Sequence, residues 1–258
     1  MSGHGTIDCR TANGEAIVKS LARAIGLFVT LAALFASPAG AAEKLKITVI
    51  GGSGMIGQRI VHEALERGHT VVAVARDPSK VTETHARLTI AKGDVLDSDG
   101  LASVAAGQDV LISAVGVGRE TNPDSAFYLQ AADSLITALR SLGDTAPRLI
   151  VVGGVGSLKD STGKLILERV PAARKPEHAG QKAALDFYRT VEDVKWTYVS
   201  PPGSIAPGER TGSYRVGEEQ VLVSDKGESA ISMEDYAVAL IDEAENPKHT
   251  ARRFTVGY

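Results

Sequence analysis

The stretch that most constrains this chain is Lys46–Arg76, KITVIGGSGMIGQRIVHEALERGHTVVAVAR. Ile47, Thr48, Val49 and Ile50 make an apolar, β-branched run that reads as a buried strand. The glycine turn Gly51-Gly52-Ser53-Gly54-Met55-Ile56-Gly57 follows, then an amphipathic segment with Ile60, Val61, Ala64 and Leu65 on one face. Gly68 is placed to end that helix as its C′ residue, and Thr70–Ala75 supplies a second apolar strand. Strand, glycine turn, helix and strand within about thirty residues is the setting in which a glycine pattern marks a dinucleotide site. Gly51 lets the chain turn sharply, Gly54 lets backbone N–H groups approach a pyrophosphate, and Gly57 lets the helix pack closely on the sheet. The positive end of the helix then faces the phosphates. Gly51, Ser53, Gly54, Met55, Ile56 and Gly57 are therefore assigned to cofactor binding. The competing reading is a glycine-rich turn that binds nothing, and both legible flanking strands weigh against it.

With 258 residues, 43% of them apolar, the chain can bury one sizeable core with room for a cap over a site. Its net charge is −3 and no Lys/Arg cluster is interleaved with aromatics, which argues against nucleic acid as a partner. No metal-ligand cluster is assigned. Residues 1–41 do not read as part of the fold. Lys19 and Arg23 precede the uncharged run Ala24–Ala36, Ser37-Pro38 breaks it, and Ala39-Gly40-Ala41 offers small residues for cleavage. That is the layout of a secretory signal peptide, and the run is short for a membrane span. The expectation is a cleaved leader, a periplasmic or secreted product of residues 42–258 with no stable membrane span, and a monomer or dimer. An uncleaved anchor, or a mis-called start ahead of a cytoplasmic protein, are the alternatives. The only cysteine, Cys9, lies in the leader, so thiols do not settle the compartment.

Beyond the first unit the order continues. Arg76 stands at the end of the second strand, where an acidic residue usually meets the ribose 2′-hydroxyl. An Arg suits a 2′-phosphate, Lys80 adds a second positive charge, and NADP(H) is expected over NAD(H). A surface Arg paired with Asp77 is the rival reading. A third strand near Leu88–Ala91 leads to Asp94 and Val95, placed for the adenine amino group and ring, although an Asp here also suits a turn. Asp97 heads a short helix, residues 100–106. Strand four, residues 109–115, ends in Ala114-Val115-Gly116, small enough for a backbone lying against the nicotinamide ribose, or simply for a tight turn. A helix from Asn122-Pro123 to Leu142, a strand Arg148–Val152 and a helix opening at Lys175-Pro176 follow. That last helix shows Ala179, Ala183, Phe187 and Val191 as its expected seam. Trp196–Ser200 reads as strand six, and residues 201–230, rich in Pro and Gly with β-like runs at 213–216 and 220–223, as a small lid. Ser232 caps a last helix to Glu245 before a final strand, Arg253–Gly257. The alternation predicts one α/β domain, a doubly wound, mostly parallel sheet with helices on both faces.

VIGGSGMIG, the strand ending in VARDPSK, GDVLD, VVGGVGSL and the closing ISMEDYAVALIDEAENP…RFTVGY together resemble an atypical branch of the short-chain dehydrogenase/reductases. It is the group around biliverdin-IXβ reductase/flavin reductase, and the likeness runs from about Lys46 to Tyr258. The resemblance implies a Rossmann fold, bound NAD(P)H and hydride transfer to a ring or carbonyl acceptor at the carboxyl ends of the strands. The ordinary members carry a Ser after strand five and a Tyr-x-x-x-Lys on the next helix. Alignment places Gly154 at the Ser, with Ser157 three residues on, and Arg174 and His178 at the Tyr and Lys. His178 and Ser157 are the catalytic candidates that remain; a surface role for His178 competes. Tyr188 and Tyr214 are further possible donors, with Tyr188 close to the packing seam. The missing acid favours reduction of a flavin, quinone or related conjugated small molecule. A cofactor-sensing protein without catalysis and an epimerase/dehydratase-like enzyme are the alternatives.

Overall fold

The β-branched run at Lys46–Ile50 forms β1, in which Ile47 to Ile50 are all buried, as a central parallel strand covered on both faces requires. The computed structural model describes residues 1–4, 43–117 and 125–258. The leader expected over residues 1–41, apart from the first four, and the helix start expected at Asn122-Pro123 lie outside the described residues. Met1–His4 carries no helix or strand.

Glu43–Tyr258 forms one compact unit. After β1 come α1 (Met55–Glu66), β2 (Thr70–Ala75), β3 (Leu88–Lys92), α2 (Ser98–Ala105), β4 (Val110–Ser113) and α3 (Ala126–Leu142). Then follow β5 (Arg148–Val152), α4 (Lys175–Tyr188), β6 (Trp196–Ser200), β7 (Ser204–Ala206), β8 (Arg215–Gly217), β9 (Ala230–Ser232), α5 (Met233–Glu245) and β10 (Arg252–Gly257). The main sheet has the order β3-β2-β1-β4-β5-β6-β10-β8. Its pairs are parallel except β10 with β8, so the doubly wound fold is as read from the alternation, with one antiparallel edge. The strand order reverses between β1 and β4, and a crevice opens there at their carboxyl ends.

Two apolar layers enclose the sheet. On one face Ile60, Val61, Ala64 and Leu65 of α1 pack with Tyr236, Leu240 and Ile241 of α5. On the other, Leu101 of α2, Leu135 and Leu139 of α3, and Leu185 and Tyr188 of α4 share a core with Trp196 and Tyr198. Each such side chain contributes about 1.5–3 kcal/mol by leaving water. Helix starts are capped where predicted: Asp97 accepts from the N–H of Gly100 at 3.0 Å, and Ser232 from that of Asp235 at 2.9 Å.

Two expectations need correction. The buried stripe of α4 is Gly180, Ala184, Leu185 and Tyr188; Ala183 is exposed and Ala179 and Phe187 only half-buried. The helix turns by one residue because burying Leu185 and Tyr188 removes more apolar area than burying two alanines. Glycine at 180 also admits α3, since a Cβ there would stand 2.5 Å from the carbonyl oxygen of Ser125. Of the two β-like runs, the first becomes the edge strand β8, shifted to Arg215–Gly217. The second is no strand: Gln220 makes a single bridge to Lys159. The segment between β6 and β8 is pinned to the α1–α5 layer. Arg210 bonds both carboxylate oxygens of Glu63 at 2.7 Å, and the Tyr214 hydroxyl donates to Asp242 at 2.5 Å.

Candidate cofactor cleft

The crevice is built first by the turn after β1. The N–H groups of Gly51 and Gly52 both donate to the carbonyl of Val74, at 2.9 and 3.0 Å, which folds the chain back over β2. Gly51 has φ +83°, and a Cβ there would lie 2.8 Å from the carbonyl oxygen of Ala114. At Gly57 a Cβ would lie 2.1 Å from the Gly51 carbonyl oxygen, so only glycine lets α1 start this close to the turn. Gly54 is the N-cap of α1, with no side-chain cap, and the first turn holds no acidic residue. The first N–H groups of α1 thus face the crevice without an internal anion, which suits a pyrophosphate.

Ten of the thirteen cofactor residues named from the sequence line one cleft: Gly51, Ser53, Gly54, Arg76, Lys80, Asp94, Val95, Ala114, Val115 and Gly116. Met55, Ile56 and Gly57 do not line it; Met55 is half exposed and Gly57 is buried under the turn. Ile50, Val74, Ala75, Asp77, Gly93 and Phe127 complete the lining and were not foreseen. Strand ends flanking a glycine turn could have suggested the first five. Phe127, brought in by α3, had no local signal.

At the β2 end Arg76 is exposed, and among the described residues its guanidinium has no hydrogen bond or ion pair. Asp77 is committed elsewhere: it accepts from the N–H and hydroxyl of Ser79, at 3.2 and 2.7 Å, and lies 3.9 Å from the Lys80 ammonium. The Ser79 hydroxyl first, then its N–H and Lys80, hold Asp77 below the usual carboxylate range. The rival pairing of Arg76 with Asp77 is therefore not formed. Asp94 accepts from the N–H of Leu96 at 3.0 Å, the Asx turn that was its alternative reading, and is exposed on the cleft beside the buried Val95. The residues present fit a dinucleotide: an uncapped helix start, a glycine turn without side chains, and free positive charge at the β2 end.

The other end of the cleft lies where β4 finishes. Phe127 lines it, and the hydroxyl of its neighbour Tyr128 lies 3.7 Å from where a Cβ on Gly116 would be. That hydroxyl accepts from the N–H of Val117 at 3.4 Å and donates to Glu177 at 3.4 Å. Burial, with the charge of Glu177 next, pushes the phenol up to about 12. The space a side chain on Gly154 would need is filled by Gln181, whose Oε1 would be 1.8 Å from that Cβ. Among the described residues the Gln181 oxygen is buried without a hydrogen-bond partner. Neither catalytic candidate lines the cleft. Ser157 is buried, donates to the Gly154 carbonyl at 3.3 Å and accepts from Arg253 at 3.4 Å. His178 rests against Gly156, its Nδ1 buried and, among the described residues, unpartnered, and burial holds the imidazole below its ordinary value. Tyr188 is packed inside the core, and Tyr214 is tied to Asp242.

A family model described as NAD(P)H-binding matches residues 51–247. Among solved structures, a proposed epimerase from Bacteroides thetaiotaomicron is 36% identical, covering 84% of this chain and 98% of its own, with a TM-score of 0.74. A proposed exported protein from Burkholderia pseudomallei is 37% identical over 83% of this chain and all of its own, with a TM-score of 0.73. A proposed NADH-flavin reductase from Streptococcus pneumoniae TIGR4 is 33% identical over 83% and 99%, with a TM-score of 0.69. Among the described residues no helix is long and apolar enough to cross a membrane. The uncapped glycine turn, the fold and these likenesses agree: the chain belongs to the NAD(P)H-binding family, on the oxidoreductase and epimerase-like side of the short-chain dehydrogenase/reductases.

Proposed function

We propose that the protein is an NADPH-dependent reductase of flavins, quinones or related conjugated acceptors. One observation carries this reading. Among the described residues, every ionisable side chain of the cleft lining, Arg76, Asp77, Lys80 and Asp94, stands at the ends of β2 and β3. Around β4 the lining is apolar or backbone: Ala114, Val115, Gly116 and Phe127. A flat acceptor needs little more than a dry surface beside the nicotinamide, because it delocalises the incoming charge and takes its proton from water. When bound, the reduced nicotinamide supplies the hydride. The chain's share is then to bind and orient, which alone can lower a barrier by several kcal/mol. Arg76, assisted by Lys80, gives the preference for a 2′-phosphate. Cleavage after Ala41 delivers the product to the periplasm or medium. The name of the Streptococcus relative supports the acceptor class, and that of the Burkholderia relative supports export.

The test is NADPH oxidation against a panel of soluble flavins, quinones and simple carbonyl compounds. Flavin and quinone turnover with little carbonyl reduction is expected. A requirement for NAD+ with no net redox change would replace this reading by the epimerase one, which the Bacteroides relative's name favours.

A further inference from the structure

The eight-stranded sheet ends on β3 at one side and on β8 at the other, and among the described residues neither outer side is paired. An unpaired strand presents N–H and C=O groups to any chain able to join it. The two edges differ in charge. On β3, Arg87 stands before the strand and Lys92 ends it, both exposed, and no acidic side chain lies within it. An antiparallel copy would set the Arg87 end of one strand against the Lys92 end of the other, so this edge repels itself. On β8 the ends carry opposite signs: Arg215 opens the strand, and Glu218 and Glu219 follow it. Nη2 of Arg215 donates to the carbonyls of Val223 and Tyr258, leaving its Nε and Nη1 without a partner among the described residues. Glu218 is exposed, and among the described residues its carboxylate forms no ion pair. Apolar surface is concentrated around the same arginine. Val216 is 52% exposed, Val223 44% and Tyr258 38%.

We propose that β8 is a self-association edge, on which a second copy of this chain pairs antiparallel about a two-fold axis at Val216. The two eight-stranded sheets then join into one. The two-fold lays the Arg215 end of each strand against the Glu218–Glu219 end of the other, and sets Val216 beside Val216. The same patch serves both copies, so the assembly closes at two. A three-residue strand makes a small interface, and the dimer forms reversibly in the micromolar range. The cofactor cleft between β1 and β4 is separated from β8 by β5, β6 and β10, and it stays open in the dimer.

Sedimentation velocity of the protein from its own host gives the oligomeric state. Wild-type protein is expected to pass from monomer to dimer between about 1 and 100 μM. Val216→Lys, which sets a charge on the edge, is expected to weaken the dimer by about tenfold or more. Glu218→Arg, which places like charges together, is expected to weaken it about three- to tenfold. Cross-linking reads the register. The chain has one natural cysteine, Cys9, so in a Cys9→Ser background Val216→Cys carries a single thiol. Residues opposite each other on antiparallel strands have Cα atoms about 4.5–5.5 Å apart, within the span a disulfide bridges. Under mild oxidation Val216→Cys is expected to form a disulfide dimer about tenfold faster, or more, than Ile90→Cys on the β3 edge. Circular dichroism and NADP+ affinity report that the variants are folded. Wild-type protein still monomeric at about 100 μM would overturn the proposal. So would a dimer indifferent to both Val216→Lys and Glu218→Arg, assemblies larger than two, or Ile90→Cys cross-linking as fast as Val216→Cys.

Discussion

Replacing Arg76 by Ala tests how the cleft tells one cofactor from the other. The side chain is exposed and, among the described residues, unpaired, so its removal breaks no bond of the fold and should change stability by no more than about 0.5 kcal/mol. A charge-assisted bond to a 2′-phosphate contributes about 1.5–3 kcal/mol. Salt reaches an exposed guanidinium, which places the loss at the lower end, about tenfold in NADPH affinity. NADH offers a hydroxyl in place of the phosphate and should bind the variant within about twofold of wild type. Fluorescence titration of both cofactors at low and high ionic strength gives the comparison. The gap between them should narrow in the variant, and in wild type it should shrink as salt rises. Equal losses for NADPH and NADH would refute the reasoning, because they would mean that Arg76 holds the turn and not the phosphate.

Four further outcomes are expected. Gly54→Val places a branched side chain at the cleft-facing start of α1, where a Cβ meets only the Gly51 carbonyl oxygen at 3.3 Å; circular dichroism should show the fold intact and titration should show cofactor binding lost. His178→Ala should lower flavin turnover by less than the hundredfold that marks a general acid, since the imidazole does not line the cleft; steady-state kinetics check this. Burial alone would raise Glu63, but the bonds and charges of Arg210 and Arg67 outweigh it and hold its carboxyl below 4.5. Its stabilisation is therefore complete above the unfolded value and lost as pH falls through the lower folded value, so the thermal midpoint should drop on acidification below about 4.5, and less so in Glu63→Gln. Leu240→Ala, in the buried layer between α5 and the sheet, should cost about 2–5 kcal/mol in denaturant unfolding.

Much of the sheet was legible because its signals are local. β-Branched runs with no alternation mark strands buried on both faces, and β2, β5 and β6 fall where those runs lie. Glycine at 57 is required by a contact within the same turn, and glycine at 51 by that turn's own φ of +83°, so spacing alone could expose both. Ser232 and Asp97 announce helix starts by capping chemistry that spans three residues. What stayed hidden depends on distant partners. The facing side of α4 was misjudged because alanines at four-residue spacing give no hint that Leu185 and Tyr188 weigh more. Gln181 filling the space beside Gly154, and Phe127 and Tyr128 reaching the end of β4, follow from how α3 and α4 lie on the sheet. Arg253 holding Ser157 from β10 joins residues nearly a hundred positions apart. No pattern along the chain records such pairings.

Transfer of electrons from a reduced nicotinamide in this cleft to a flat acceptor is open to direct measurement. Anaerobic mixing of the protein with NADPH and excess riboflavin, followed by absorbance, measures it. Flavin is expected to be reduced mole for mole with NADPH oxidised, at a rate proportional to protein and abolished by Gly54→Val. Tight NADPH binding with no acceptor reduced above the protein-free rate would contradict it.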